Sequence, residues 1–331
     1  MTKHNLLVTT DLISQASIKR LAKHATVFNS TRLAEDEIAK LLPFIDSLMI
    51  FSWPRFLTPE RTRTMTRLLF VQSILAGVNH IPFSYFREKV IVSSNAGAYS
   101  DGVAEHAWAL ILAAAKRIVE QNNQIRAGTA ALVRHGDAAA RIRVLQGKAV
   151  GILGYGGIGT SVGKLATGFG LKVSAFSRHV SKEKGVQVRH GAKGLNKNLE
   201  TSDIVVLALP LTKSTTGIID KKALSRMKKN AILVNIARGE LVHEGSLYKH
   251  LKANSDFQYA TDVWWYKNGR ESLVTDFPFS TLPNFTGTLH VSGPSVLATG
   301  RPVLLAVQNT LRFLSNQTPK NIVDRSEYIP K

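Results

Sequence analysis

The 331-residue chain is long enough for two domains, and its 44% hydrophobic content describes a globular fold with ample core. The absence of cysteine excludes disulfides, thiolate nucleophiles and thiolate metal sites. Lys and Arg number 43 against 23 Asp and Glu, a net charge of +20, but they lie in short scattered clusters such as Arg61-Thr62-Arg63 and Lys228-Lys229, without a basic recognition helix or aromatic platform, so nucleic acid is not an expected partner.

The first residues carry no apolar stretch of the secretory type, and the longest apolar helix candidate, 107–115, is too short to span a bilayer. A cytoplasmic enzyme without a membrane partner is expected. Along the first hundred residues, short apolar runs at 6–9, 26–29, 47–51, 67–73 and 90–93 read as strands, and 18–22 and 34–42 as helices. This alternation predicts a parallel sheet covered on both faces. The run at 67–73 leads into a turn at Ala76-Gly77 that offers backbone N–H groups. One long helix then opens near Asp101 and continues to about 126, with Ala107, Leu110, Ile111 and Ala114 at helical spacing. It is expected to leave the first domain and enter the second.

Residues 148–178 carry the most specific signal. An apolar strand, 149–153, runs into Gly154-Tyr155-Gly156-Gly157-Ile158-Gly159, then a helical pattern, then a second strand at 171–176. Glycines in G-x-G-x-x-G spacing between strand and helix serve three needs: a tight turn, close backbone approach to a pyrophosphate, and close helix packing. A carboxylate at the end of the second strand would hold the ribose of NAD; here Ser177-Arg178 stand there. From 178 to 198 there are six basic residues and one acid, Glu183. A 2′-phosphate would be welcome, so NADP is the preferred cofactor with NAD possible. A solvated loop cation is the bland alternative for Arg178.

Further strands are read at 203–209, 231–236, 257–263 and 285–290, and a last helix at 302–315. Ligands of open α/β sheets bind beyond the carboxyl ends of the strands, where Arg238, Asp262 and His290 fall. Arg238 can hold a carboxylate through paired donors, and His290 can protonate a carbonyl that receives a hydride. Asp262 reads as a positioning group. His106, His243 and His250 show no partner pattern and read as structural or exposed. No H-E-x-x-H occurs, so no metal is expected.

These segments resemble the D-isomer-specific 2-hydroxyacid dehydrogenases, a family that includes glyoxylate/hydroxypyruvate reductases, phosphoglycerate dehydrogenases and formate dehydrogenases. The resemblance rests on Asn95-Ala-Gly with Val103-Ala-Glu-His, the Gly154 fingerprint, Leu209-Pro-Leu-Thr-Lys-Ser-Thr-Thr-Gly, Val234-Asn-Ile-Ala-Arg-Gly, Thr261-Asp-Val and Leu289-His-Val-Ser-Gly. It implies two Rossmann-like α/β domains with doubly wound parallel sheets. A flavodoxin-like substrate domain, 1–98 plus 296–331, would be split around a dinucleotide-binding domain, 99–295. It implies a small 2-keto or 2-hydroxy acid as substrate and a homodimer. Arg238 and His290 would be catalytic, and Ala76, Gly77, Arg238 and His290 would bind substrate. The cofactor would lie against Gly154, Tyr155, Gly156, Gly157, Ile158, Gly159, Ser177, Arg178, Leu209, Pro210, Thr215, Ile236, Ala237, Asp262, His290 and Gly293, with Thr212 lining the cleft by analogy.

One position departs from the family. A glutamate five residues after the aspartate usually pairs with the histidine, and here that position is Lys267. A carboxylate favours imidazolium and an ammonium opposes it. Three readings are open. Lys267 points away, leaving His290 alone or with Glu271; the reductase is slow and acid-shifted; or the chemistry is lost and an NADPH-binding sensor or partner-binding protein remains. Glyoxylate or hydroxypyruvate is the first substrate expected. Aromatic keto acids are the alternative if Trp53, Trp264, Trp265 and Tyr266 form a wall.

Overall fold

Short runs of Val, Ile and Leu form the strands because both faces of each run can be buried. The computed structural model describes residues 3–132, 142–178 and 182–328. The chain forms two compact units, one made of the residues through Tyr99 together with those from Ser295 onward, the other of Ser100–Pro294.

In the first unit β1 (His4–Val8), β2 (Ala25–Asn29), β3 (Ser47–Ile50), β4 (Phe70–Ser73) and β5 (Ile91–Ser93) form a parallel sheet in the order β2-β1-β3-β4-β5. Side chains alternate between faces. Leu7, Leu48, Ile50 and Val71 enter one core cluster, while Leu6, Val8 and Met49 enter another. The helix Arg301–Leu314 brings Val303, Ala306, Val307 and Leu314 to the second cluster. Asn309 Nδ2 donates to Gln72 Oε1 (2.7 Å), and Asn95 Nδ2 donates to Pro302 O (2.8 Å). The strand read at 67–73 begins only at Phe70, because the chain is still turning before it: Leu68 N donates back to Met65 O (3.1 Å).

The second unit holds β6 (Ala149–Leu153), β7 (Lys172–Phe176), β8 (Val186–Arg189), β9 (Ile204–Leu207), β10 (Ile232–Asn235), β11 (Gln258–Thr261) and β14 (Phe285–Gly287), with a hairpin of β12 (Tyr266–Lys267) and β13 (Arg270–Glu271). The seven-stranded order is β14-β11-β10-β9-β6-β7-β8. The strand order reverses between β6 and β9, the switch point at which such sheets open a ligand crevice. Both sheets are parallel throughout, as the alternation of elements predicts.

The expected single helix from 101 to about 126 is instead two, Ser100–Lys116 and Ile118–Arg126, broken at Arg117 in left-handed geometry (φ 51°). Gln121 Nε2 folds back to donate to the carbonyls of Lys116 and Arg117, capping the first piece. The second piece buries no residue, so no packing holds it on the first helix's axis. The basic segment after β7 supplies β8 and the helix Gly191–Thr201.

Candidate active site

At the end of β6 the glycines meet three different demands. Gly154 has φ +95°, and a Cβ there would stand 2.6 Å from the carbonyl carbon of Ala208. A Cβ on Gly159 would fall 2.1 Å from Gly154 O, whereas one on Gly156 would meet nothing within 4 Å. The turn is therefore tight, its floor close-packed and its outer face open. Gly156 caps the helix Gly157–Gly168 without a side-chain hydrogen bond, so no side chain of the cap competes for its first N–H groups. These residues fit a dinucleotide pyrophosphate. Tyr155 is buried beneath the loop, while Gly157 and Ile158 open the helix.

Beyond β7, Ser177 is buried and Arg178 exposed, and no carboxylate stands between Lys172 and Arg178. Register with β8 sets Phe176 against Arg189, so basic side chains flank the strand end. Ser177 N–H donates to Arg189 O (3.2 Å), and His190 Nδ1 lies 2.6 Å from Ser177 O. After β9, Leu209 and Pro210 begin a turn that Thr215 closes: its hydroxyl donates to Pro210 O (2.6 Å) and accepts from Thr212 N (2.8 Å). Ile236 is buried and Ala237 half-buried after β10, and a Cβ on Gly293 would meet open space. Ala76 and Gly77, both half-buried, follow β4 in the other unit.

Arg238, Asp262 and His290 follow β10, β11 and β14, adjacent strands of one sheet. His290 lies in a turn, because β14 ends at Gly287. Its φ is +55°, an uncommon conformation for a side-chain-bearing residue. The fully buried Asp262 holds that turn. Its Oδ1 accepts from Thr288 Oγ1 (2.6 Å) and Val291 N (3.0 Å), and its Oδ2 from Ser292 N (3.0 Å). Burial raises the Asp262 pKa, but the Ser292 and Thr288 hydrogen bonds outweigh it and leave the carboxyl below its ordinary value.

His106, read from sequence as a residue without a partner, belongs to this network. Its Nε2 lies 3.0 Å from Thr288 Oγ1 and 3.4 Å from Asp262 Oδ1. Thr288 spends its one proton on Asp262, so His106 is the donor to Thr288 through Nε2–H. The partner lies 182 residues away, beyond any local pattern.

The hairpin resolves the departure at Lys267. Tyr266 pairs with Glu271 and Lys267 with Arg270, so Tyr266 and Glu271 share one face while Lys267 takes the other. Glu271 Oε2 lies 2.6 Å from His290 Nδ1, and its Oε1 accepts from Trp264 N (2.7 Å). Burial pushes the Glu271 carboxyl up, but the hydrogen bond and charge of His290, the Trp264 N–H and the Arg238 charge bring it below its ordinary value. An ionised carboxylate only accepts, so Nδ1 of His290 carries the proton of that bond and Nε2 faces other partners. Lys267 Nζ instead meets Glu244 Oε2 (2.9 Å) and Asp276. The first of the three readings, with Glu271 rather than His290 alone, describes this geometry. Asn268-Gly269, both at positive φ, make the two-residue turn of this hairpin, and that dipeptide is its signature in the sequence.

The tryptophans considered for an aromatic wall divide between the two units. Trp265 is buried, stacked on Phe279 at 5.4 Å, and donates to Val242 O; Trp53 packs on Phe86 in the other unit; Trp264 Nε1 donates to Thr288 O (2.8 Å). Among the described residues, no group of three or more His, Cys, Asp or Glu could hold a metal, and no helix is long and apolar enough to cross a membrane.

Residues 108–292 match the family model of the D-isomer specific 2-hydroxyacid dehydrogenase NAD binding domain. A glyoxylate reductase of Aeropyrum pernix is 33% identical over 78% of this chain and 77% of its own length. A glyoxylate reductase of Thermococcus kodakarensis is 30% identical over 96% of this chain and 95% of its own. Among solved structures, protein PH0520 of Pyrococcus horikoshii superposes with a TM-score of 0.79 at 28% identity, over 98% of this chain and 96% of that one. These likenesses bear out the resemblance carried by the motifs: the chain belongs to the D-isomer specific 2-hydroxyacid dehydrogenases, oxidoreductases that move a hydride between NAD(P)H and a 2-keto acid.

Proposed function

We propose that this enzyme is an NADP(H)-preferring reductase of small 2-keto acids, with glyoxylate and hydroxypyruvate as its first candidate substrates. The observation that carries the proposal is the convergence on Glu271. One carboxylate receives the hydrogen bond of His290 and feels the charge of Arg238. The guanidinium clamps the substrate carboxylate through paired donors. His290, held by Glu271 at Nδ1, delivers a proton from Nε2 to the carbonyl oxygen. Bound at the Gly154 loop, the nicotinamide cofactor supplies the hydride. Asp262 acts through the turn 288–292, keeping His290 in place. Ala76 and Gly77 offer backbone donors to the substrate carboxylate. Ser177 and Arg178 receive the 2′-phosphate, a reading supported by the absence of a carboxylate at the end of β7. The relatives' names favour glyoxylate. A homodimer and a cytoplasmic location belong to the same proposal, the former open to light scattering.

The test is a panel of 2-keto acids with NADPH and NADH, followed at the nicotinamide absorbance band. Arg238→Lys keeps the charge but loses the fork, and raises the keto-acid KM roughly tenfold to a hundredfold. His290→Gln lowers kcat by about 10² to 10⁴. Tight NADPH binding without turnover on any member of the panel would replace the reductase by a nucleotide sensor.

A further inference from the structure

The hairpin that carries Glu271 stands outside both large sheets. Among the described residues its strand pairing is internal, between Tyr266–Lys267 and Arg270–Glu271. A two-stranded ribbon is marginal alone, so its position depends on what its two faces touch. The inner face is fixed by Glu271, through Trp264 N and His290 Nδ1, with Ser272 N donating to Trp265 O (3.1 Å). The outer face is fixed by Lys267. Its ammonium bridges Glu244, at the start of the helix Glu244–Ala253, and Asp276. Glu244 Oε1 also accepts from Asp276 N (2.7 Å), so three chain segments meet at one cation.

We propose that Lys267 is a positioning residue, a clamp on the outer face of the hairpin that keeps Glu271 on the opposite face within hydrogen-bond reach of His290. Lys267 stands at the offset from Asp262 where the family resemblance would put a glutamate, and its ammonium holds the hairpin from the face opposite Glu271. A glutamate returned to 267 would face Glu244 and Asp276 and not the imidazole. The clamp rests on the reading of His290 as proton donor only for its kinetic consequence. Its geometric consequence, the state of Glu271, stands apart from turnover.

Glu271 faces His290 from the turn after β14 and Arg238 after β10, and it acts on Tyr266 of its own hairpin; Glu240, in the turn after β10, also acts on Tyr266 and accepts from its N–H (3.0 Å). Loosening the hairpin separates Glu271 from His290 and Arg238 while leaving those groups in place. Lys267 itself is held above its ordinary value by its hydrogen bonds to Asp276 and Glu244, so its charge persists across the working pH range.

The experiment compares Lys267→Met, which removes the ion pairs, with Lys267→Arg, which keeps them, using Glu271→Gln as reference. In the cofactor-free enzyme, carbon NMR follows the Glu271 carboxyl. In Lys267→Met its midpoint rises toward the ordinary carboxylate range, and Lys267→Arg restores it. With NADPH and keto acid, the alkaline limb of kcat/KM moves to lower pH in Lys267→Met, by up to about one pH unit, in the direction of Glu271→Gln. The KM for NADPH stays within about twofold, which separates positioning from general damage to the fold. If Lys267→Met does not fold, Glu244→Gln and Asp276→Asn each remove one anchor, and each shifts Glu271 part of the way. A Glu271 midpoint unmoved in these variants overturns the clamp. An enzyme without turnover on any keto acid leaves the NMR result standing, so the two readings fail separately.

Discussion

Gly154 shows why the cofactor loop was legible one residue at a time. A backbone at φ +95° whose Cβ would stand 2.6 Å from a neighbouring carbonyl carbon leaves room for no other residue. That requirement recurs at fixed offsets, so spacing alone exposes it. Gly154→Ala is expected to lose about 1–3 kcal/mol of stability and to weaken NADPH binding at least tenfold. Gly156→Ala, with nothing within 4 Å of its Cβ, should fold normally and lose only binding, where the methyl meets the pyrophosphate. Thermal melts and nicotinamide fluorescence read the two effects apart. Equal melting points for both variants would show that the close approach to Ala208 does not constrain the turn. His106 is the opposite case. Its partners Thr288 and Asp262 are joined to it only by the fold, so no pattern around residue 106 announces them.

Two small elements, the turn 288–292 and the hairpin, hold the proposed proton donor and its partner, and both are pinned by carboxylates. Asp262 and Glu271 lie below their ordinary pKa in the folded state. Each therefore contributes stability that is present above the unfolded value near 4 and is lost as pH falls through the folded value. Asp262→Asn places an amide against backbone N–H donors and should cost roughly 2–3 kcal/mol at pH 7. The difference from the parent should shrink as the pH approaches about 3, where the parent's own carboxyls begin to take up protons. Urea midpoints at the two pH values measure it, and a constant gap would show that ionised Asp262 is not what holds the turn. The sequence disclosed these elements unevenly. The strands ending at Asn235, Thr261 and Gly287 were visible as apolar runs, and so their carboxyl ends located Arg238, Asp262 and His290. The hairpin is four paired residues around Asn268-Gly269 in a polar stretch. A fixed offset from Asp262 pointed to Lys267, but strand alternation turns that side chain outward. The break at Arg117 escaped for a related reason: the residues that mark the end of the first helix, the left-handed Arg117 and the back-folded Gln121, are neither Gly nor Pro.

At the scale of the whole molecule, both sheets were legible because parallel strands buried on two faces leave near-continuous apolar runs, while the charge of +20 was legible only as a number. Its meaning depends on where anions bind. The Gly154 loop, the Ser177-Arg178 strand end with Arg189 alongside, and Arg238 are three places in one unit suited to anionic groups. A positive field focused there would speed the arrival of an anionic keto acid and a phosphorylated cofactor, and salt would screen it over about 10 Å at 0.1 M. So kcat/KM for NADPH should fall several-fold between roughly 10 mM and 200 mM monovalent salt, with kcat little changed. NADH lacks the 2′-phosphate and its charge of about −1.5 to −2. Its dependence on salt should be shallower than that of NADPH. The difference between the slopes isolates the charge read at the end of β7 from the general field, which acts on both cofactors. Parallel slopes would mean that Arg178 and its neighbours do not meet the 2′-phosphate, and that the basic balance serves the substrate alone. Arg178→Gln then provides the internal control, because it should flatten the NADPH line toward that of NADH and leave the NADH line where it was.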